Sequence, residues 1–331
     1  MQLEGDPTQA LPLLLQAFQI AEKLFGIENI ITLFYLEALA ISYTEVMEFK
    51  EAEECFRQIV AIGEKLQGPD HPAIADSLWN LASVFFHQGL YAEAVSFAQR
   101  ALILKEQVLG PDHYEVAWVL NILGTAHTRE GKYKLAEVLL TRALHIYQQT
   151  VGPNHFYVIS CLRNLGELYI LQKRLVEAID SYQQALQIIE RTLGTQHDSA
   201  ALVMNRLGNM YFDQGKYQQA EIYYQKALKI SEKLLESDPA QVAYSLVNLG
   251  ELYLVQGFLN LTQSALQRVL VILGKPAQGD PVAYEAVICC LILVGDHLVS
   301  QKRVAQAQIY YQRAKSIQTL LCMSNPSSGT L

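Results

Sequence analysis

Four of the eight histidines stand at one spacing: His71, His113, His155 and His197, each 42 residues from the next. An imidazole array of that kind could hold a metal or relay protons. If each belongs to its own copy of a repeated helical unit, neighbouring copies stand about 10 Å apart, whereas ligands of one zinc lie about 2 Å from it. The four cannot share an ion. Their expected role is turn and helix-cap hydrogen bonding, with the preceding acid, as in Asp112-His113, in the same cap. The five cysteines, Cys55, Cys161, Cys289, Cys290 and Cys322, are odd in number and lack a CxxC, so free thiols in a reducing cytosol are expected. Cys289-Cys290 lies in an apolar stretch and reads as buried small residues rather than a redox pair. Glu53 and Glu54 fall on a solvated helix face. No GxSxG, HExxH, Walker loop or GxGxxG is present. Neither an enzyme nor a cofactor- or metal-binding protein is expected.

The elements that place these residues come from a period. Gly68-Pro69-Asp70-His71 returns as Gly110-Pro111-Asp112-His113, as Gly152-Pro153-Asn154-His155, and weakly as Gly194-Thr195-Gln196-His197. Small residues keep the same step: Ala40, Ala82, Gly124, Gly166, Gly208 and Gly250. Three residues after each stands Tyr43, Phe85, His127, Tyr169, Tyr211 or Tyr253. Two alanine columns follow, one from Ala52 to Ala220 and one from Ala101 to Ala227. Each unit resolves into a first helix, near 72–87 in one copy, and a second near 91–109. Leu78, Leu81, Ala82 and Phe85 give the first its i, i+3, i+4, i+7 stripe. Gly89 ends it, Asp70 can accept a first-turn N–H of the next, and Pro72 fits where no intrahelical donor is needed.

Composition narrows the function. The chain has 331 residues, 51% of them apolar and 18% charged, enough for a large core. Lys and Arg total 25 against 33 Asp and Glu, a net charge of −8 that argues against nucleic acid. The longest apolar run, 282–294, holds Glu285 and falls short of the about 20 residues a membrane span needs. The N-terminus has no signal-peptide pattern. A soluble cytoplasmic protein without membrane insertion is expected.

The small column, the aromatic one turn on and the two alanine columns resemble the tetratricopeptide repeat. Its usual unit has about 34 residues; the longer unit, the LGPDH connection and the phrase Leu78-Trp79-Asn80-Leu81-Ala82 are similar to kinesin-light-chain-type repeats. The resemblance implies an all-α, right-handed superhelical solenoid of stacked antiparallel helix pairs over 1–331. The expected boundaries are a partial repeat or capping helix at 5–25; repeats at 28–67, 70–109, 112–151, 154–193, 196–235 and 238–273; an irregular repeat at 280–322; and a disordered tail at 323–331. Register places Gly5 at the end of a first helix, and unpartnered Leu11, Leu14, Leu15, Phe18 and Ile20 slightly favour a fragment of a longer protein over a cap.

First helices line the concave side of such solenoids, and their open flank carries the candidate site. It includes Trp79, Asn80, Trp118, Asn121, Thr128, Arg129, Arg163, Asn164, Asn205, Arg206, Asn209 and Asn248. Each of five helices has an Asn just ahead of its Leu–small pair: Asn80, Asn121, Asn164, Asn205 and Asn248. Asn is a poor helix former, so these places ask for a reason. A side-chain amide can donate to and accept from an extended peptide at once, giving an amide ladder with Trp79, Trp118, Phe86 and Phe212 as apolar pockets. The plainer reading is that these Asn bond neighbouring helices. In kinesin light chains the matching groove takes short cargo peptides with an aromatic residue and acids. Here Arg129, Arg163 and Arg206 face Asp76, Asp213, Glu167 and Glu251, so an acidic preference does not follow, and the basic clamp for a chaperone tail is absent. A non-enzymatic scaffold holding a partner's peptide segment is therefore expected. The alternatives are the sensor part of a larger switch protein, or self-assembly into a homo-oligomer through the apolar terminal stretches 11–20 and 282–294.

Overall fold

Four of the repeats open their first helix, or the 3-10 turn ahead of it, on the histidine column. In the computed structural model, Nδ1 of His71, His113, His155 and His197 accepts the backbone N–H two residues on, at 3.2, 3.3, 3.3 and 3.2 Å. Asn29 holds the same register position, and its Oδ1 accepts from Ile31 at 2.9 Å. The cap is thus one residue later than Asp70, which is exposed. Extended backbone at His71 (φ −78°, ψ 133°) turns its own ring nitrogen onto the first turn. The first helices close on a left-handed residue, at φ 78° for Gly89 and 76° for Gly131. Met47 and Lys173 fill that column at φ 63° and 60° without glycine. The stop is therefore set by position in the repeat, against a cost of roughly 1–2 kcal/mol for a side chain there.

The structure describes residues 7–235 and 239–273, and then 288, 291–292, 295–296, 299, 307–308, 310–312, 314–315 and 318. The expected tail at 323–331, most of 282–294, and Cys289, Cys290 and Cys322 lie outside the described residues. Thirteen α-helices follow one another through 273: α1 (Pro7–Phe25), α2 (Ile30–Glu45), α3 (Phe49–Gln67), α4 (Ala75–His87), α5 (Tyr91–Leu109), α6 (Tyr114–Arg129), α7 (Tyr133–Thr150), α8 (Phe156–Leu171), α9 (Leu175–Thr192), α10 (Asp198–Asp213), α11 (Tyr217–Ser231), α12 (Pro239–Val255) and α13 (Leu259–Leu273). A 3-10 turn, Pro72–Ile74, precedes α4. The fold is an all-α solenoid of stacked helix pairs. It divides into two compact units, Met1–Ala178 and Ile179–Leu331, inside α9.

In the first unit, Leu78, Leu81, Ala82 and Phe85 are fully buried with Phe56, Ala94 and Ala98 in one core. A large apolar side chain buried there contributes roughly 1.5–3 kcal/mol. Consecutive first helices touch, α4 with α6 and α6 with α8. Gly124 sets one close approach: a Cβ there would stand 2.7 Å from Leu140 Cγ. Second helices are tied at one step by Arg100 to Glu64 (2.6 Å) and Arg142 to Glu106 (2.8 Å). Such partly exposed pairs contribute about 0–1 kcal/mol each.

The second unit repeats the scheme with larger knobs. α10 touches α12, and a Cβ on Gly208 would lie 2.4 Å from the Tyr224 ring. The pairing recurs 87 positions on, where a Cβ on Gly295 would meet the Tyr311 ring at 2.5 Å.

Candidate functional site

In the first unit the first helices carry an aromatic strip. Trp79 on α4 and Trp118 on α6 lie 5.6 Å apart between ring centroids, tilted by 31°. Trp118 also meets Tyr114 (5.3 Å, 81°) and Tyr157 (5.4 Å, 70°) edge-on, and Tyr157 stacks on buried Tyr147 at 5.2 Å. Both indoles are half-buried, and both Nε1 atoms are buried without an acceptor among the described residues. Beside them, Asn164 Nδ2 donates to Asn121 Oδ1 at 3.0 Å. Each amide is half-buried and spends one end on that bond. Asn121 Nδ2 and Asn164 Oδ1 bond nothing among the described residues. Asn80 is half-buried next to Trp79, while Arg129 and Arg163 are exposed and make no ion pair among the described residues.

A cation the sequence reading missed enters this layer from behind. Lys105, on second helix α5, is 4% exposed and reaches Asp76 at 2.5 Å and Glu115 at 2.6 Å. Burial alone pulls its ammonium pKa down, but hydrogen bonds to Asp76 and Glu115 and their charges outweigh this, so it is raised. Asp76, one of the acids set against the groove arginines in the sequence, is paired with Lys105. A signal was present: Lys105 stands in a column otherwise filled by Gly63, Tyr147, Ile189 and Ser231.

The second unit uses its asparagines differently. Asn205 is 0% exposed; its Nδ2 donates to Ser245 Oγ at 2.9 Å, and its Oδ1 accepts from Asn248 Nδ2 at 3.5 Å. Asn209 accepts from the Tyr224 hydroxyl at 2.8 Å and donates to the Tyr244 hydroxyl at 3.2 Å. Arg206 is exposed. Burial, and then the charge of Asp213, pushes the Glu251 carboxyl above its ordinary range; burial raises Asp213 likewise.

The five asparagines are not one ladder. Their spacing alternates between 41 and 43, so Asn121 and Asn205 occupy one column while Asn80, Asn164 and Asn248 occupy the next. Both observed amide pairs, 121 with 164 and 205 with 248, run diagonally between the columns. The structure brings Trp79, Trp118, Asn121 and Asn164 together and withdraws Asn205 into the core. Thr128, read as open, is buried and donates to Gly124 O at 2.9 Å. Its hydroxyl satisfies a helix carbonyl, which hides it from a ligand.

Burial pushes the Cys161 thiol up to about 12 and Cys55 up to about 11, so neither is a thiolate at neutral pH. Among the described residues no group of three His, Cys, Asp or Glu could hold a metal ion, and no helix is long and apolar enough to cross a membrane.

The tetratricopeptide repeat model matches residues 1–65, 35–102, 73–149, 123–191 and 158–233. Among solved structures, BtubC (BKLC) from P. vanneervenii is similar at 21% identity and TM-score 0.58, over 72% of this chain and 94% of that one. A Podosopora anserina putative kinesin light chain with nearly identical TPR-like repeats is similar at 24% identity and TM-score 0.52, over 61% and 95%. A Rap protein complexed with Competence and Sporulation Factor is similar at 16% identity and TM-score 0.60, over 97% and 89%. At these identities the likeness is one of fold. No curated protein matches the chain. With helix pairs in a 42-residue register and the family matched along residues 1–233, the chain belongs to the tetratricopeptide repeat family and is a repeat scaffold for protein interaction.

Proposed function

We propose that the first unit binds an extended peptide segment of a partner protein, without catalysing a reaction on it. The segment lies across first helices α4, α6 and α8. Its backbone bonds the spare ends of the Asn121–Asn164 pair, and an apolar side chain rests on Trp79 and Trp118, with the exposed Arg129 and Arg163 on the same helices. The observation that carries this reading is the amide pair itself. Two half-buried amides bonded to each other leave one donor end and one acceptor end side by side, which is what a peptide unit needs. The Rap protein with its bound factor supports the architecture as one that can hold a ligand. Asn80 extends the same face; Asn205, Asn209 and Asn248 hold the second unit together.

Trp79 and Trp118 are the only two tryptophans, so tryptophan emission, excited beyond the absorption of the 18 tyrosines, reports this site alone. Peptides selected from a random display library on the full chain are expected to shift that emission and to shield it from acrylamide. Selected peptides that bind with emission and quenching unchanged place the ligand elsewhere and contradict the proposal.

A further inference from the structure

Lys105 stands at a junction to which peptide binding alone gives no role. It belongs to second helix α5 and is 4% exposed, yet its Nζ meets acids of two different first helices, Asp76 of α4 at 2.5 Å and Glu115 of α6 at 2.6 Å. Each acid lies three residues ahead of one tryptophan, Asp76 of Trp79 and Glu115 of Trp118. Acid and indole therefore share a helix face, about one turn apart. The ammonium fastens α4 to α6 just ahead of the two rings, which are 5.6 Å apart and tilted by 31°.

Stacking of repeats does not by itself call for charge at this place. One repeat on, the three matching register positions hold Tyr147, Trp118 and Tyr157. These meet as rings, Tyr147 with Tyr157 at 5.2 Å and Tyr157 with Trp118 at 5.4 Å. Exchanging a buried ion cluster for apolar groups often costs no stability, and the best-attested use of such a cluster is to fix one arrangement among several. Asp76 and Glu115 repel each other unless the ammonium stands between them, so the cluster holds α4 and α6 at one separation.

We infer that Lys105 is a positioning residue for the tryptophan pair: through Asp76 and Glu115 it sets the spacing and tilt of Trp79 and Trp118. Its service to a bound peptide rests on the proposed function, whereas its hold on the rings does not.

Two indoles this close give an exciton couplet in far-ultraviolet circular dichroism, and the part that Trp79→Phe removes is the pair's own signal. Measured on the full chain without peptide, that signal is expected to be lost in Lys105→Met with Glu115→Gln, which leaves no buried charge unpaired, with helicity unchanged. Asp76→Asn, at a side chain 64% exposed, is too superficial to endanger the fold; it releases α4 alone and should diminish the signal in part. Affinity for peptides selected on the parent chain should fall about threefold to tenfold in the double variant. A pair signal of parental size in Asp76→Asn, or in the folded double variant, overturns the inference. Loss of the signal with affinity unchanged keeps Lys105 as the positioning residue and contradicts the peptide site instead.

Discussion

Asn121 and Asn205 stand two repeats apart in one column, on the same flank of the same type of helix, yet they live in different surroundings. Around Asn205 the register supplies hydroxyls: Ser245 takes its amide, and Tyr224 and Tyr244 take that of nearby Asn209. At the matching positions of the first unit stand Cys161, Leu140 and Ser160. Cys161 donates its thiol to Leu140 O at 3.2 Å instead of meeting Asn121. The amide at one position is thus sealed into the fold or left half-open according to residues on neighbouring helices. A column's identity does not fix its role; the neighbours one repeat on decide it.

The largest expected difference is in stability. Asn205→Ala removes the amide donor to the buried Ser245 oxygen, whose hydroxyl keeps its bond to Gln241 O, and strands the Asn248 amide, and should cost about 2 kcal/mol in denaturant unfolding. Asn121→Ala strands only a half-exposed partner and should cost about 0.5 kcal/mol or less. Equal losses erase the contrast between the units. Next comes a transplant of the second unit's chemistry into the first. Cys161→Ser places a hydroxyl where Ser245 stands two repeats later, and should draw Asn121 inward. Peptide affinity is expected to fall by about threefold to tenfold, roughly 0.7–1.4 kcal/mol. Unchanged affinity means that the hydroxyl does not control the amide. The smallest effect concerns Glu251. Its carboxyl pKa is raised by burial and by Asp213 above the ordinary 4.5, so the folded state holds this proton more tightly than the unfolded chain. That contribution is full below the unfolded value and is lost as pH rises through the folded one. Glu251→Gln should therefore be the more stable form at pH 7, and its advantage should vanish in acid. An advantage that grows in acid reverses the sign.

Much of this architecture was legible in residue order. The stripe Leu78, Leu81, Ala82 and Phe85 is the buried face of α4, and α5 spans Tyr91–Leu109, because period and helix boundaries are local properties of sequence. The histidine column was readable as a cap, although which atom caps depended on backbone angles at His71. The site was less legible. Asn80, Asn121, Asn164, Asn205 and Asn248 look alike in sequence, and their alternating spacing was the only sign of two columns. Whether an amide is spent depends on side chains about 40 residues away, such as Ser245 on Asn205. Lys105 reaching Asp76 from a second helix is likewise a long-range contact.

The most direct measurement sets peptide affinity against melting temperature in Asn121→Ala with Asn164→Ala. The expected result is an affinity at least about tenfold weaker, with melting within a few degrees of the parent chain. Affinity that survives the double substitution, or a double variant that unfolds, would show that these amides hold helices together rather than a ligand.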